Sequence, residues 1–133
     1  MAFIHSPKIV TEGLILAADA GNTKSYVSSS TTWVDLLAMT NGTLVNGPTF
    51  DSGSGGSIVF DGVNDYALFT TSSIFNTIQS NNSLTLSIFF KNNFTSSFRD
   101  IIGLNRTGDK PFVIRQSIGN NIFYDTIDRK SVV

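Results

Sequence analysis

Residues 57–69, SIVFDGVNDYALF, carry a strong signal for β-structure in this chain. Two short apolar runs flank a polar turn that contains Asp61, Asn64 and Asp65. An Asp-Gly pair between two apolar runs is a strong signal for a β-hairpin, so the stretch predicts two antiparallel strands joined by a turn. The clustered oxygen atoms raise a second question, which is whether the turn is also a binding site.

The composition of the whole chain predicts an all-β protein. Its 133 residues include eleven Phe and two Met, and charged residues make up 14% of the chain. Ser, Thr, Asn and Gly separate short apolar runs, a pattern typical of proteins with many strands and turns. A chain of this length fits one domain with a hydrophobic core.

Charge and cysteine content exclude several classes of function. Nine basic and ten acidic residues give a net charge of −1, and no basic run is present, so we expect no nucleic-acid partner. Because Cys is absent, disulfides, thiolate metal sites and a Cys nucleophile are excluded. No apolar segment reaches the ~20 residues that cross a bilayer, and no secretory signal is recognised, so we expect no membrane partner.

The remaining segments predict a series of short antiparallel strands. Residues 13–20 predict an opening strand, and a brief strand is expected between the two Asn-Gly pairs of residues 41–47. Residues 83–91, SLTLSIFFK, show the clearest period-two pattern and predict a central strand. Three more strands are expected within residues 99–126. The side chains predicted to point into the core are Leu84, Leu86, Ile88 and Phe90, with Trp33 and Phe60.

Four ordered stretches resemble the laminin-G-like, concanavalin A-like lectin/glucanase superfamily, particularly versions found in tailed-phage structural proteins. They are KIVTEGLILAADAGNTKSY (8–26), TTWVDL (31–36), NGTLVNGPTF (41–50) and GSIVFDGVNDYALF (56–69). The resemblance implies an antiparallel β-sandwich of the concanavalin A-like jelly-roll type. The chain departs from the family pattern where Leu37, Ala38 and Met39 replace a Gly/Asn-rich turn, and where Phe89 replaces a Trp.

The residues needed for hydrolysis are missing from the sequence. Glucanases of this superfamily use two glutamates, whereas this chain has the single glutamate Glu12. The chain has a single histidine, His5, and no nucleophilic Ser motif that it could activate as a base. The Gly-rich stretch near residue 53 lacks the Lys of a phosphate-binding loop. We therefore predict that the protein is not an enzyme.

Calcium is the one cofactor that the sequence leaves open. Some laminin-G-like and pentraxin-like relatives hold calcium at the rim of the sandwich, and Asp61, Asn64 and Asp65 are the clustered oxygen donors of this chain. Their spacing is not that of a dedicated calcium loop, and Asp61 can bond its own backbone. We interpret the cluster as a structural turn, with a calcium site as the alternative.

The resemblance and the missing catalytic groups predict a non-catalytic binding or adhesion module. Its partners would be a glycan or a host-surface protein, and Tyr26, Tyr66 and Tyr124 are the candidate platforms for a sugar ring. The alternative is a structural or decoration domain that assembles on other virion proteins and binds no small ligand. Either interpretation implies a location in a virion or outside the cell.

Both ends of the chain are expected to lie outside the domain. Residues 1–12 are interpreted as a lead-in segment and residues 13–127 as a partial sandwich domain. Residues 128–133, DRKSVV, match the translation of a common sequencing-library adapter, and we interpret them as a non-native tail. Family domains normally continue with further strands, which predicts an incomplete sandwich.

Overall fold

The fold is built from short antiparallel strands. The computed structural model describes residues 10–69, 80, 83–91, 99–106, 109–116 and 122–125. Within these residues the chain forms three small antiparallel sheets, which is the architecture of an all-β protein. The strands are β1 (Thr32–Trp33), β2 (Gly42–Val45), β3 (Thr49–Asp51), β4 (Ser57–Val59), β5 (Tyr66–Phe69), β6 (Arg99–Arg106), β7 (Asp109–Gln116) and β8 (Ile122–Asp125).

Contacts divide the chain into two compact units, Met1–Leu86 and Ser87–Val133. The first unit contains a three-stranded sheet in the order β1-β2-β5 and a two-stranded sheet of β3 and β4. The second unit contains a three-stranded sheet in the order β6-β7-β8. The three strands predicted within residues 99–126 are confirmed as this meander.

The β1-β2-β5 sheet has one covered face and one exposed face. Gly42 pairs with Phe69 and Leu44 pairs with Ala67, which places these residues on the covered face. Thr43 pairs with Leu68, and the members of that pair are both exposed. This alternation is what a period of two residues produces when one side of a sheet is buried.

A glycine makes room for an aromatic ring on the covered face. A Cβ atom at position 42 would lie 2.6 Å from Cζ of Phe69, so the Phe69 ring lies directly over the Gly42 backbone. The same ring is 5.9 Å from the ring of Trp33, measured between centroids. Gly42 is therefore required by packing, since any side chain would displace this aromatic pair.

The predicted hairpin of residues 57–69 is wrong in its pairing, although both of its strands are present. β4 pairs with β3, and β5 pairs with β2, so the two strands belong to different sheets. The Asp-Gly turn between them is a connection from one sheet to the other. Local turn chemistry specifies a reversal of the chain, whereas the strand partner is selected by long-range packing.

A buried carboxylate organises the segment that connects β1 to β2. Asp35 is 1% exposed, and its Oδ1 atom accepts hydrogen bonds from the N–H groups of Ala17 (2.9 Å) and Leu37 (3.1 Å). Its Oδ2 atom accepts from the N–H groups of Met39 (3.1 Å) and Thr40 (3.3 Å). One side chain thus satisfies four backbone donors and joins residues 35–40 to the opening segment of the chain.

The turn at residues 37–39 contains a non-glycine residue in the left-handed region. Ala38 adopts φ of +57°, in the left-handed region, and its N–H donates to the carbonyl of Asp35 (2.9 Å). Glycine occupies this conformation at little steric cost, whereas Ala carries a Cβ that clashes with the following carbonyl. The turn keeps its shape because the Asp35 carboxylate holds the N–H groups on either side of Ala38.

Two predicted strands are not formed. Residues 13–20 and residues 83–91 have no strand assignment, and Leu84, Leu86, Ile88 and Phe90 are 38–44% exposed. The alternation itself persists, because Phe89 is 98% exposed. Trp33 and Phe60 are partly buried, and the buried apolar side chains among the described residues are Tyr26 and Leu44. Period-two alternation identifies the face suited to burial, but burial also requires a surface that covers it.

Candidate functional site

Tyr26 is placed by a tight turn in residues 19–26. The carbonyl of Asn22 accepts hydrogen bonds from the N–H groups of Ser25 and Tyr26, both at 2.8 Å. The Ser25 hydroxyl, which is fully buried, donates to the carbonyl of Val34 and accepts from the N–H of Asp19 (3.0 Å). Asn22 favours such a turn, because its side-chain Oδ1 accepts a hydrogen bond from the N–H of Lys24 (3.0 Å).

The Tyr26 side chain lines a cleft. It is 4% exposed, and its ring centroid is 5.3 Å from that of Phe50 on β3, with the ring planes tilted by 43°. This geometry is within the usual range for an aromatic pair. The pair forms the apolar part of the cleft wall, together with Leu44 and Pro48.

The cleft has a volume of about 380 Å³. Five of its lining residues carry a side-chain hydroxyl group: Ser28, Ser29, Ser30, Thr31 and Thr49. None of the described residues that line it carries a charge. The volume is at the small end of the range for ligand sites in proteins, and an apolar wall with several hydroxyl groups is a common composition for such sites.

The serine-rich loop beside the cleft is held by specific hydrogen bonds. The Tyr26 hydroxyl donates to the carbonyl of Ser30 (3.1 Å), and the Ser30 N–H donates to the carbonyl of Val27 (2.9 Å). The Ser30 hydroxyl accepts from the N–H of Thr32 (3.0 Å) and is 3.1 Å from the carbonyl of Thr32, to which it can donate. These bonds hold the loop in the turn that the structure shows.

The three tyrosines named from the sequence lie in different environments. Tyr26 lines the cleft but is buried, so it does not present an open ring face. Tyr66 is 46% exposed and shares the outer face of its sheet with its pairing partner Val45, opposite to the face of Leu44. Tyr124 belongs to β8 in the second unit, where only its backbone is described. Tyr66 is therefore the described tyrosine that offers an exposed platform.

The Asp61–Asp65 turn is bonded largely to its own backbone. Asp61 Oδ1 accepts from the N–H groups of Val63 (2.7 Å) and Asn64 (3.4 Å), and Asp65 Oδ2 accepts from the N–H of Asp61 (3.0 Å). The Asn64 carbonyl accepts from Nδ2 of Asn46 (2.7 Å), which ties this turn to the β2–β3 connection. The turn lies in the β4–β5 connection, and this bond joins it to the β2–β3 connection. Both connections run from one sheet to the other.

Two of the carboxylate oxygens that a calcium ion would use, Asp61 Oδ1 and Asp65 Oδ2, accept hydrogen bonds from the backbone of the turn. Among the described residues, Asp65 Oδ1 is a buried oxygen with no hydrogen-bond partner. No group of three or more acidic or His residues that could hold a metal ion occurs within the described part of the chain. The geometry favours the structural interpretation of Asp61, Asn64 and Asp65, and calcium binding stays an alternative to be tested.

Sequence reasoning missed most of the cleft. It singled out Tyr26 but neither the hydroxyl loop nor β3, because the loop and the strand meet only in the folded chain. The run of five hydroxyl residues from Ser28 to Thr32 was the available signal. Such runs are also common in simple turns, so the signal alone does not define a site.

Comparison with known proteins adds no further assignment. No family model matches the chain, and searches of curated proteins and of solved structures found no similar protein. In the part of the chain that the structure describes, no helix has the length and apolar character that crossing a bilayer requires. The resemblance noted in the sequence stays a prediction.

Proposed function

We propose that the protein is a non-catalytic binding module for carbohydrates or surface proteins, and that the cleft beside Tyr26 is its binding site. The observation that carries this proposal is the cleft itself, in which the partly buried Phe50 ring, packed against the buried Tyr26 ring, lines the same space as a loop of hydroxyl side chains. Sugars combine apolar ring faces with hydroxyl groups, so they are matched by a site that combines aromatic carbon with neutral hydrogen-bonding groups.

The proposal excludes hydrolysis of the bound ligand. Glycoside hydrolysis needs a pair of carboxyl groups across the scissile bond, and the single glutamate, Glu12, is exposed and does not line the cleft. The proposed architecture is the β-sandwich implied by the sequence resemblance, and the proposed location is a virion or the extracellular space. In the first unit, the β2–β3 connection and the β4–β5 connection both run from one sheet to the other, which supports that architecture.

A cleft-filling substitution tests the site. Thr49 is an exposed residue of β3 that lines the cleft, so Thr49→Trp is expected to occupy the cleft volume and abolish binding on a glycan array. Thr43→Trp is the matched control, because Thr43 is also an exposed strand threonine but lies on the outer face of its sheet. Aromatic residues are well tolerated in strands, so both variants should fold.

The two variants separate the possible outcomes. Binding that survives Thr43→Trp and is lost in Thr49→Trp supports the cleft as the site. Binding lost equally in both variants would show that the cleft is not the determinant. A chain that binds no glycan on the array and no surface protein of its host would contradict the proposed function as a whole.

A second candidate is a structural or decoration domain of a virion, favoured by the outer face of the β1-β2-β5 sheet. Tyr66 and Leu68 are 46% and 42% exposed there, beside Val45, and exposed apolar groups of this kind are common in protein interfaces. Leu68→Lys is expected to abolish co-assembly with the structural proteins encoded beside this gene, measured by sedimentation. Ser57→Lys, at an exposed position of β4, is the control.

A further inference from the structure

We infer that the cleft selects uncharged saccharides of one or two rings without the help of calcium, and that Tyr26 is a positioning residue that holds the selecting loop. The inference rests on the proposed function and names the ligand class of the same site. It goes beyond that function because a carbohydrate module can equally recognise acidic sugars, or use a metal ion to hold hydroxyl groups.

The lining of the cleft is the basis for selecting uncharged ligands. The described lining residues carry no charge, so a carboxylate or sulfate on a ligand would lose water without gaining a cationic partner. The hydroxyl groups of Ser28, Ser29, Thr31 and Thr49 make no hydrogen bond within the described structure. A hydroxyl both donates and accepts, which matches the hydroxyl groups of a neutral sugar.

The size of the cleft limits the ligand. At about 380 Å³ it accommodates a small ligand rather than a long chain, and it is open to solvent on the side of the exposed residues Ser28, Ser29 and Thr49. A terminal mono- or disaccharide unit therefore fits better than the interior of a polysaccharide. None of the three residues of the Asp61–Asp65 cluster lines the cleft, so a calcium ion held there would not be a direct ligand of the sugar.

The loop that carries these hydroxyls is preorganised. Ser29 has φ of +69°, a left-handed conformation that a non-glycine residue adopts at a steric cost. The loop keeps this shape because the Tyr26 hydroxyl bonds the Ser30 carbonyl (3.1 Å) and the Leu44 N–H bonds the Thr31 carbonyl (2.8 Å). A loop already fixed in its bound shape loses less conformational entropy when a ligand binds.

The first experiment measures binding of small saccharides to the full chain by isothermal titration calorimetry. The probes are four neutral disaccharides (lactose, maltose, cellobiose and chitobiose) and two acidic probes (digalacturonate and sialyllactose). We expect saturable binding of at least one neutral probe, no binding of the acidic probes, and the same affinity in EDTA. Binding of acidic probes alone, or affinity lost in EDTA, would overturn the inference.

The second experiment tests Tyr26 as a positioning residue. Tyr26→Phe keeps the ring and removes the bond to Ser30, so the loop is less preorganised and affinity for the neutral probe should fall several-fold, with about 10-fold as the upper limit set by one hydrogen bond. If Tyr26 had a purely structural role, the affinity of the folded protein, measured well below the melting temperature, would be unchanged. Tyr66→Phe, outside the cleft, is the control and should bind as the parent does.

A gain-of-function variant separates this inference from the proposed function. Thr49→Lys places a cation in the lining and should create binding of digalacturonate while weakening the neutral probe. If the parent binds acidic saccharides and loses them in Thr49→Trp, the cleft is a glycan site but its proposed selectivity is wrong. If no saccharide binds the parent, the glycan-binding function fails together with the selectivity.

Discussion

Replacing the buried carboxylate of Asp35 by an amide should destabilise the protein strongly. In Asp35→Asn one of the two acceptor oxygens becomes an NH₂ group, which cannot accept a hydrogen bond. Either the Ala17 and Leu37 N–H groups or the Met39 and Thr40 N–H groups then face a donor instead of an acceptor. Because Asp35 is 1% exposed, water cannot readily replace the lost acceptor.

The magnitude follows from the number of bonds lost. A hydrogen bond to a charged group contributes ~1.5–3 kcal/mol, and the neutral amide is easier to bury, so the loss of two such bonds should cost about 2–4 kcal/mol. That is a large share of the ~5–15 kcal/mol by which small domains are stable. Asp35→Ala removes all four bonds and is expected to leave little folded protein.

Urea titration followed by circular dichroism measures this change. We expect the midpoint to fall with little change in slope, which reports a loss of stability rather than a change in the unfolded state. Asp19→Asn is the control, because exposed Asp19 accepts one bond, from the Gly21 N–H (2.9 Å). If Asp35→Asn shifted the midpoint no more than Asp19→Asn, the view of Asp35 as the organising acceptor would be refuted.

Three further substitutions test the packing of the fold in the same urea assay. Gly42→Ala should cost ~1–3 kcal/mol, because its Cβ would lie 2.6 Å from the Phe69 ring, and an unchanged midpoint would contradict that close approach. Ala38→Gly should raise stability by up to ~1 kcal/mol, because φ is +57° there, and a loss would show that the turn is not strained. Phe90→Ala should cost less than ~2 kcal/mol, below the ~3–5 kcal/mol of a core Phe, since Phe90 is 44% exposed; a larger loss would place it in the core.

Short-range patterns in the sequence were sufficient to predict several strands of the fold. The strand between the two Asn-Gly pairs is β2, the two apolar runs of residues 57–69 contain β4 and β5, and the segments within residues 99–126 form β6, β7 and β8. Each of these elements is bounded by turn residues whose preferences act over two to four positions. The all-β class follows from the same local signals.

The pairing of the strands in the first unit was decided by tertiary structure. β4 and β5 are adjacent in sequence and joined by a strong hairpin signal, yet they pair with β3 and β2 respectively. The reason is that the Phe69 ring fits over Gly42 and beside Trp33, an arrangement that sequence spacing does not reveal. The alternation of residues 83–91 likewise predicted a buried strand. No strand is formed there, and Leu84, Leu86, Ile88 and Phe90 are 38–44% exposed.

The candidate site shows the same division between local and long-range information. From the sequence alone, Tyr26 could be named as an aromatic candidate, and residues 61–65 could be recognised as a turn that bonds its own backbone. Residues 28–31 and β3 form one cleft only because the Tyr26 and Phe50 rings meet across 24 positions of sequence. Asp35 gave no local sign of its role, since its donors include Ala17, 18 positions away. Local preferences specify turns and strands, whereas a cleft or a buried acceptor exists only when distant backbone segments are brought together by packing.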